Sequence, residues 1–259
     1  MKPFPLITAH TGCMGTPANS RLSIETAFRS GADIVEDDIR VTADGVLVLA
    51  HDDRVAAVEG TAYSIAQTRY ADIETSVFKA PDGKSNEAMR LLPLASVLPL
   101  LQASGARMNL DLKSDACIEP VSRMVDEHDL YDKVLLSGCE ASRARLVQRS
   151  NPRLRKLLNV DPALFQANAY GDAAHWSCED ARSANCFGIN VNYRLVQPDL
   201  LEIAAQHQLD VYVWTVDEQE AMKPFVEMGV QSITSRNVQA LIALKQLKMG
   251  DHLNDSGGV

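Results

Sequence analysis

Short runs of leucine and β-branched residues recur along the chain, most followed by a stretch in which apolar positions return every three or four residues. The runs that predict strands are 6–10 (LITAH), 33–42 (DIVEDDIRVT), 46–51 (VLVLAH), 107–113 (RMNLDLK), 133–138 (KVLLSG), 155–160 (RKLLNV), 186–192 (CFGINVN), 210–216 (DVYVWTV) and 230–235 (VQSITS). Helical spacing occupies 23–31, 118–129, 141–150, 198–208, 218–229 and 237–249, and Gly31, Gly105 and Gly229 fall where a helix would end. Alternating strands and helices imply a parallel sheet with right-handed crossovers. About eight such units in 259 residues predict a (β/α)8 TIM barrel rather than an open doubly wound sheet. No GxGxxG follows the first strand, which argues against a dinucleotide fold.

Two places break the rhythm. The stretch TADG (42–45) joins two strands directly, and Asp44-Gly45 is a hairpin turn signal. Residues 53–92, with the soft run APDGKSNEA (80–88), read as an insertion on the barrel rim, after the hairpin. The rest of 1–250 reads as one domain, followed by a polar, glycine-containing tail at 251–259 expected to be flexible.

Composition narrows the function classes. The formal net charge of −9 argues against a nucleic-acid partner, which needs a basic surface. It leaves room for a small phosphate-bearing substrate if a divalent cation supplies local positive charge. Five scattered cysteines with no CxxC pair fit reduced thiols, and Cys13 lies nearest the residues discussed next. Two prolines interrupt the opening MKPFPLITAH and no apolar run is long enough to span a bilayer, so the expectation is a cytoplasmic protein without an integral membrane segment.

The chemistry concentrates in DIVEDDIRVTADGVLVLAHDD (33–53), where Glu36, Asp37 and Asp38 interrupt a strand and His51 closes the next. Strand side chains alternate, so Glu36 and Asp38 share one face and Asp37 takes the other. The same parity puts Asp111 and Lys113 together on another strand, with Leu110 and Leu112 turned towards helices. Both clusters sit near C-terminal strand ends, where barrel enzymes build their sites, and His10 ends the first strand. Carboxylates converging on one rim need a positive charge among them, and oxygen ligands suit one hard divalent cation, Mg²⁺ or Ca²⁺ with Mn²⁺ also compatible. Lys113 offsets the remaining negative charge. Asn190 is placed on its strand to reach the same pocket.

The stretch 8–52 closely resembles the N-terminal signature of the glycerophosphodiester phosphodiesterases, roughly AHRG…PENT…AF…GAD.IE.DV..T.DG..V..HD. The similarity continues through NLDLKSD and VYVWTVD…GVQSITS, and so spans nearly the whole chain. It implies a metal-dependent hydrolase on a TIM barrel that converts a small glycerophosphodiester to an alcohol and a phosphomonoester. His10 and His51 match the family's general acid and base, Glu36 and Asp38 match metal ligands, and Asp111 stands where the family has a glutamate ligand. Lys113 matches a phosphate lysine and Trp214 a residue at the headgroup end of the pocket.

This chain departs from the pattern in places. Thr11 replaces the arginine of HRG and leaves one neutral hydroxyl for substrate contact. Ala18 replaces the glutamate of PENT while Asn19 remains, and SITSRN brings Arg236 to the late rim. The nucleophile expected is a neighbouring substrate hydroxyl, giving a cyclic phosphate that water opens. Two alternatives stand beside the hydrolase: a lyase that stops at the cyclic phosphate, and a non-catalytic ligand-binding barrel.

Overall fold

In the computed structural model, which describes residues 2–79 and 88–255, the strands that carry the leucine and β-branched runs close into a ring. They are β1 (Leu6–Ala9), β2 (Ile34–Val41), β3 (Arg107–Leu112), β4 (Val134–Ser137), β5 (Leu157–Asn159), β6 (Gly188–Asn192), β7 (Asp210–Trp214) and β8 (Ser232–Ser235). They pair in parallel in the order β4-β3-β2-β1-β8-β7-β6-β5. A parallel bridge between Leu136 and Lys156 joins β4 to β5, with Leu136 N–H donating to the Arg155 carbonyl at 2.9 Å. The architecture is the (β/α)8 barrel that the alternation predicts.

Outside the ring lie α1 (Arg21–Arg29), α2 (Leu98–Ala103), α3 (Ile118–Glu127), α4 (Ala141–Ser150), α5 (Tyr170–Ser183), α6 (Pro198–Gln206), α7 (Gln219–Met228) and α8 (Val238–Asp255). The last of these runs into the segment expected as a tail, and 256–259 lie outside the described residues, as does most of the APDGKSNEA run. Helix α5 carries no large apolar stripe. Its buried face is Ala173, Ala174, Ser177, Cys178 and Ala181, so the helical period is nearly silent in hydropathy, and the sequence reading passed over it. Gly229 ends α7 in the left-handed region at φ 77°. Gly105 follows Ser104, the extended C-cap of α2 at φ −86°, and so occupies the expected C′ position, but without the left-handed backbone seen at Gly229.

Strand parity divides the interior. One cluster, Ile34, Leu135, Leu157 and Tyr212 with Leu6 and Phe187 against it, plugs the barrel from within. A larger cluster of the opposite parity, including Ile7, Val35, Leu110, Leu136 and Ile189, packs between strands and helices. The plug leaves the C-terminal mouth to polar side chains. Lys156 is an exception to the outer apolar layer: it is fully buried, and its Nζ donates to Gln148 Oε1 at 2.7 Å and the Asn185 carbonyl at 3.2 Å. Burial holds that ammonium below its usual pKa. All five cysteines are buried and free.

The hairpin turn forms where Asp44-Gly45 signals it, with Gly45 at φ 85° and Val41 opposite Leu47. The insertion is better organised than its weak patterning suggests. Two small antiparallel pairs, Arg54–Ala56 with Ala62–Ser64 and Phe78–Lys79 with Ala88–Met89, enclose a second small core. That core is Val48, Ala50, Ala57, Ile65, Ile73, Phe78 and Leu91.

Gly138, just past β4, has φ 68°, and a Cβ there would meet Asp111 Oδ1 and come within 2.5 Å of the Leu112 carbonyl. Gly138→Ala combines a disfavoured backbone with a clash against the Leu112 backbone, which cannot yield as a side chain would. It is expected to cost more than about 2 kcal/mol in chemical denaturation, the range of steric and backbone-strain mutants.

Candidate active site

Parallel pairing sets Glu36 of β2 beside Asn109 of β3 and Asp38 beside Asp111. Because side chains alternate, Glu36, Asp38 and Asp111 all point into the barrel mouth. One carboxylate oxygen from each lies within 4.8 Å of the others. Glu36 and Asp38 are 6% and 4% exposed. Lys113, one residue beyond β3, places Nζ 2.8 Å from Asp38 Oδ1 and 2.5 Å from Asp111 Oδ2. The carboxylates, Lys113, His10, His51, Asn190 and Trp214 line one cavity of about 410 Å³.

His10, immediately past β1, has Nδ1 2.9 Å from the Thr11 carbonyl. A carbonyl only accepts, so Nδ1 carries the proton and Nε2 presents a lone pair in the neutral ring. Glu36 Oε2 is 3.7 Å from Nδ1, and Arg236 Nη2 is 3.5 Å from Nε2. His51 stands at the exposed rim, beyond the hairpin strand Leu47–Leu49, with Nδ1 2.8 Å from Asp52 Oδ1. Its Nδ1–H is thereby oriented on a carboxylate.

Thr11 does not face this cavity. It is 4% exposed, and its hydroxyl donates to Asp37 Oδ1 at 2.6 Å while accepting from Asn19 N–H at 2.6 Å. The expected hydroxyl for substrate is thus spent behind β2, because Asp37 points outward from the barrel. The Thr11 N–H instead reaches Glu36 Oε2 at 3.3 Å. Asn19, with its amide nitrogen towards the carboxylates, donates to Asp37 Oδ1 and Asp38 Oδ2, both at 3.2 Å. It supports an acidic residue and lines a separate hollow of about 240 Å³ that adjoins the cavity across His51.

Arg236 lines the cavity from the late rim where the sequence places it, and the wall also includes residues with no expected role: Asn109, Ser137, Asn159, Thr234, Glu140 and Arg143. The first four have the same inward parity as Asp111 and Asn190 on their strands, so the signal was present. Asn159 Oδ1 accepts from Gly138 N–H at 3.0 Å and from Asn190 at 3.3 Å, tying β4, β5 and β6 together. Arg143, from α4, donates Nη1 to the Leu112 and Gly138 carbonyls and Nε to Asp115. Arg143 lies on a helix, so no strand parity would have found it. Among the described residues, Asn109 Oδ1 and Trp214 Nε1 are buried without a hydrogen-bond partner.

The electrostatics fit a hard divalent cation. Burial raises Glu36 to about 7, and Asp38 and Asp111 add to it against the opposing pull of His10 and Lys113. Burial also resists the charge on Lys113, but Asp111 and Asp38 outweigh it and hold the ammonium above its usual value. Three oxygen donors of like sign held together, one kept part-protonated, form the donor set that such an ion neutralises.

The model of the glycerophosphoryl diester phosphodiesterase family matches residues 10–240. A glycerophosphodiester phosphodiesterase from Caldanaerobacter subterraneus is 25% identical over 248 residues, 92% of this chain and 97% of that one. The barrel is shared with a glycerophosphodiester phosphodiesterase from Parabacteroides distasonis (TM-score 0.77, 20% identity, covering 96% of this chain and 100% of that one). It is shared also with an Oleispira antarctica phosphodiesterase whose structure holds the product sn-glycerol-3-phosphate (TM-score 0.76, 19% identity, covering 93% and 97%).

A folded Glu36 at about 7, against a reference of 4.5, keeps a proton that the unfolded chain releases. The stability this confers is full below about pH 4.5 and is lost as pH rises towards 7. Buried Asp37, also raised, acts in the same direction. Chelator-treated protein is therefore expected to melt progressively lower from pH 4.5 to 7 by circular dichroism, and Glu36→Gln to flatten that slope.

Proposed function

The chain belongs to the glycerophosphoryl diester phosphodiesterase family, and on that premise we propose that it hydrolyses a small glycerophosphodiester to an alcohol and a phosphomonoester, sn-glycerol 3-phosphate. The observation that carries this reading is the convergence of Glu36, Asp38 and Asp111 in a cavity that His10 and His51 also line. Glu36, Asp38 and Asp111 would hold one divalent cation, Mg²⁺ or Ca²⁺, with Mn²⁺ also suited to the oxygen donors. When bound, that ion supplies positive charge beside a phosphodiester oxygen and eases charge developing at phosphorus.

The two histidines divide the proton transfers. His10, with Nδ1–H given to the Thr11 carbonyl and Nε2 facing a guanidinium donor, is the base that accepts the nucleophile's proton. His51, its Nδ1–H on Asp52, is the acid that protonates the departing alkoxide at the open rim. Lys113 balances Asp38 and Asp111, and Trp214 and Asn190 shape the end of the pocket that takes the substrate's alcohol portions. Thr11 and Asn19 act through the carboxylates that they hold.

Three assays test the reading. Prolonged chelation should abolish turnover of glycerophosphodiesters, and Mg²⁺, Ca²⁺ or Mn²⁺ should restore it. His10→Ala and His51→Ala should each lower kcat by about a hundredfold or more. With a nitrophenolate leaving group, which needs no acid, His51→Ala should recover most of its loss while His10→Ala should not. Equal losses on both substrates would refute the division of roles. Phosphorus NMR of the product should show a phosphomonoester; a persistent cyclic diester would identify a lyase instead.

A further inference from the structure

The cavity is rich in acids, and most of its cations are committed. Lys113 lies between Asp38 and Asp111 at 2.8 and 2.5 Å. Arg143 gives Nε to Asp115 at 2.6 Å and Nη1 to the Leu112 and Gly138 carbonyls at 2.8 and 2.5 Å. Arg236 is placed differently. It follows β8, and its backbone N–H donates to Asp217 Oδ1 at 2.7 Å. Its Nη1 is 3.3 Å from Asp217 Oδ2, and its Nη2 is 3.5 Å from His10 Nε2. The side chain is 48% exposed and lines the cavity. Asp217 therefore holds one edge of the guanidinium and leaves the other beside the imidazole.

Ring order gives this placement its meaning. Since β8, β1, β2 and β3 are consecutive in the sheet, the mouth presents Arg236, then His10, then Glu36 and Asp38, then Asp111 and Lys113. A fixed cation stands at each end of an arc of imidazole and carboxylates. Thr11, next to His10 in the chain, has its hydroxyl buried against Asp37 and cannot supply a donor there.

We propose that Arg236 is the phosphate-anchoring residue of this site, its guanidinium donating to a non-bridging oxygen of the phosphodiester from the His10 side. The proposal rests on the phosphodiesterase reading and names the cation that binds the substrate's anionic group. A planar fork already pinned by Asp217 suits a phosphate oxygen beside the reacting base better than a free lysine would. The same contact serves a phosphomonoester, so it implies that the product competes with substrate.

Binding and turnover separate the two readings. In calorimetry with divalent cation present, Arg236→Met is expected to bind sn-glycerol 3-phosphate about 10- to 100-fold more weakly than the parent, with Arg236→Lys intermediate. KM for a glycerophosphodiester should rise in parallel, while the melting temperature and the cation-induced melting shift stay at parental values. Arg236→Met binding within about twofold of the parent overturns the proposal, as does a parent that binds neither sn-glycerol 3-phosphate nor inorganic phosphate. A variant that loses melting temperature but keeps its phosphate affinity also overturns it, because Arg236 is then only a structural tie to Asp217. A parent that binds sn-glycerol 3-phosphate through Arg236 yet turns over no phosphodiester refutes the enzymatic reading and leaves the anchor standing.

Discussion

Carboxylates repel one another most where water is scarce, and two neighbouring strands of this barrel force three of them together. Parallel pairing places Asp38 beside Asp111, and the two-residue pleat adds Glu36 on the same inner face. The plug of Ile34, Leu135, Leu157 and Tyr212 fills the barrel beneath and leaves the mouth to them. The surroundings answer with charge: Lys113 neutralises the Asp38–Asp111 side, and a raised Glu36 takes a proton on the other. His10, His51 and Lys113 line the same cavity as that concentration of negative charge.

The supporting layer behind β2 is unusual in being acidic as well. Asp37 is fully buried on the outward face, with Oδ1 held by Thr11 and the Asn19 amide and Oδ2 left without a partner among the described residues. Burying a carboxylate so costs free energy, and burial raises its pKa accordingly. What the arrangement provides is rigidity. Thr11 joins the loop after β1 to both faces of β2, through its N–H to Glu36 and its hydroxyl to Asp37. Asn19 does the same for Asp37 and Asp38. On the other flank, close approach at Gly138 lets the end of β4 lie against Asp111 without a side chain between them. The three carboxylates are thus braced from both neighbouring elements.

The amino-acid sequence by itself determined the barrel class, the inward parity of Glu36, Asp38, Asp111 and Lys113, the outward parity of Asp37, and the hairpin at Asp44-Gly45. The parities and the hairpin follow from periodicity and turn chemistry acting over a few residues, and the barrel class from the number of strand–helix units they mark out. It left α5 unread, because small buried residues carry little hydropathic signal, and it assigned Thr11 to the substrate on a likeness that the neighbouring Asp37 redirects. Only the tertiary structure decided that Arg236, 226 residues from His10 in sequence, reaches its imidazole, and that Arg143 braces the ends of β3 and β4. Those contacts depend on β8 closing against β1 and on long flexible side chains finding their partners across the mouth. Ring closure is a property of the whole sheet, and no local pattern records which distant strand ends it will bring together.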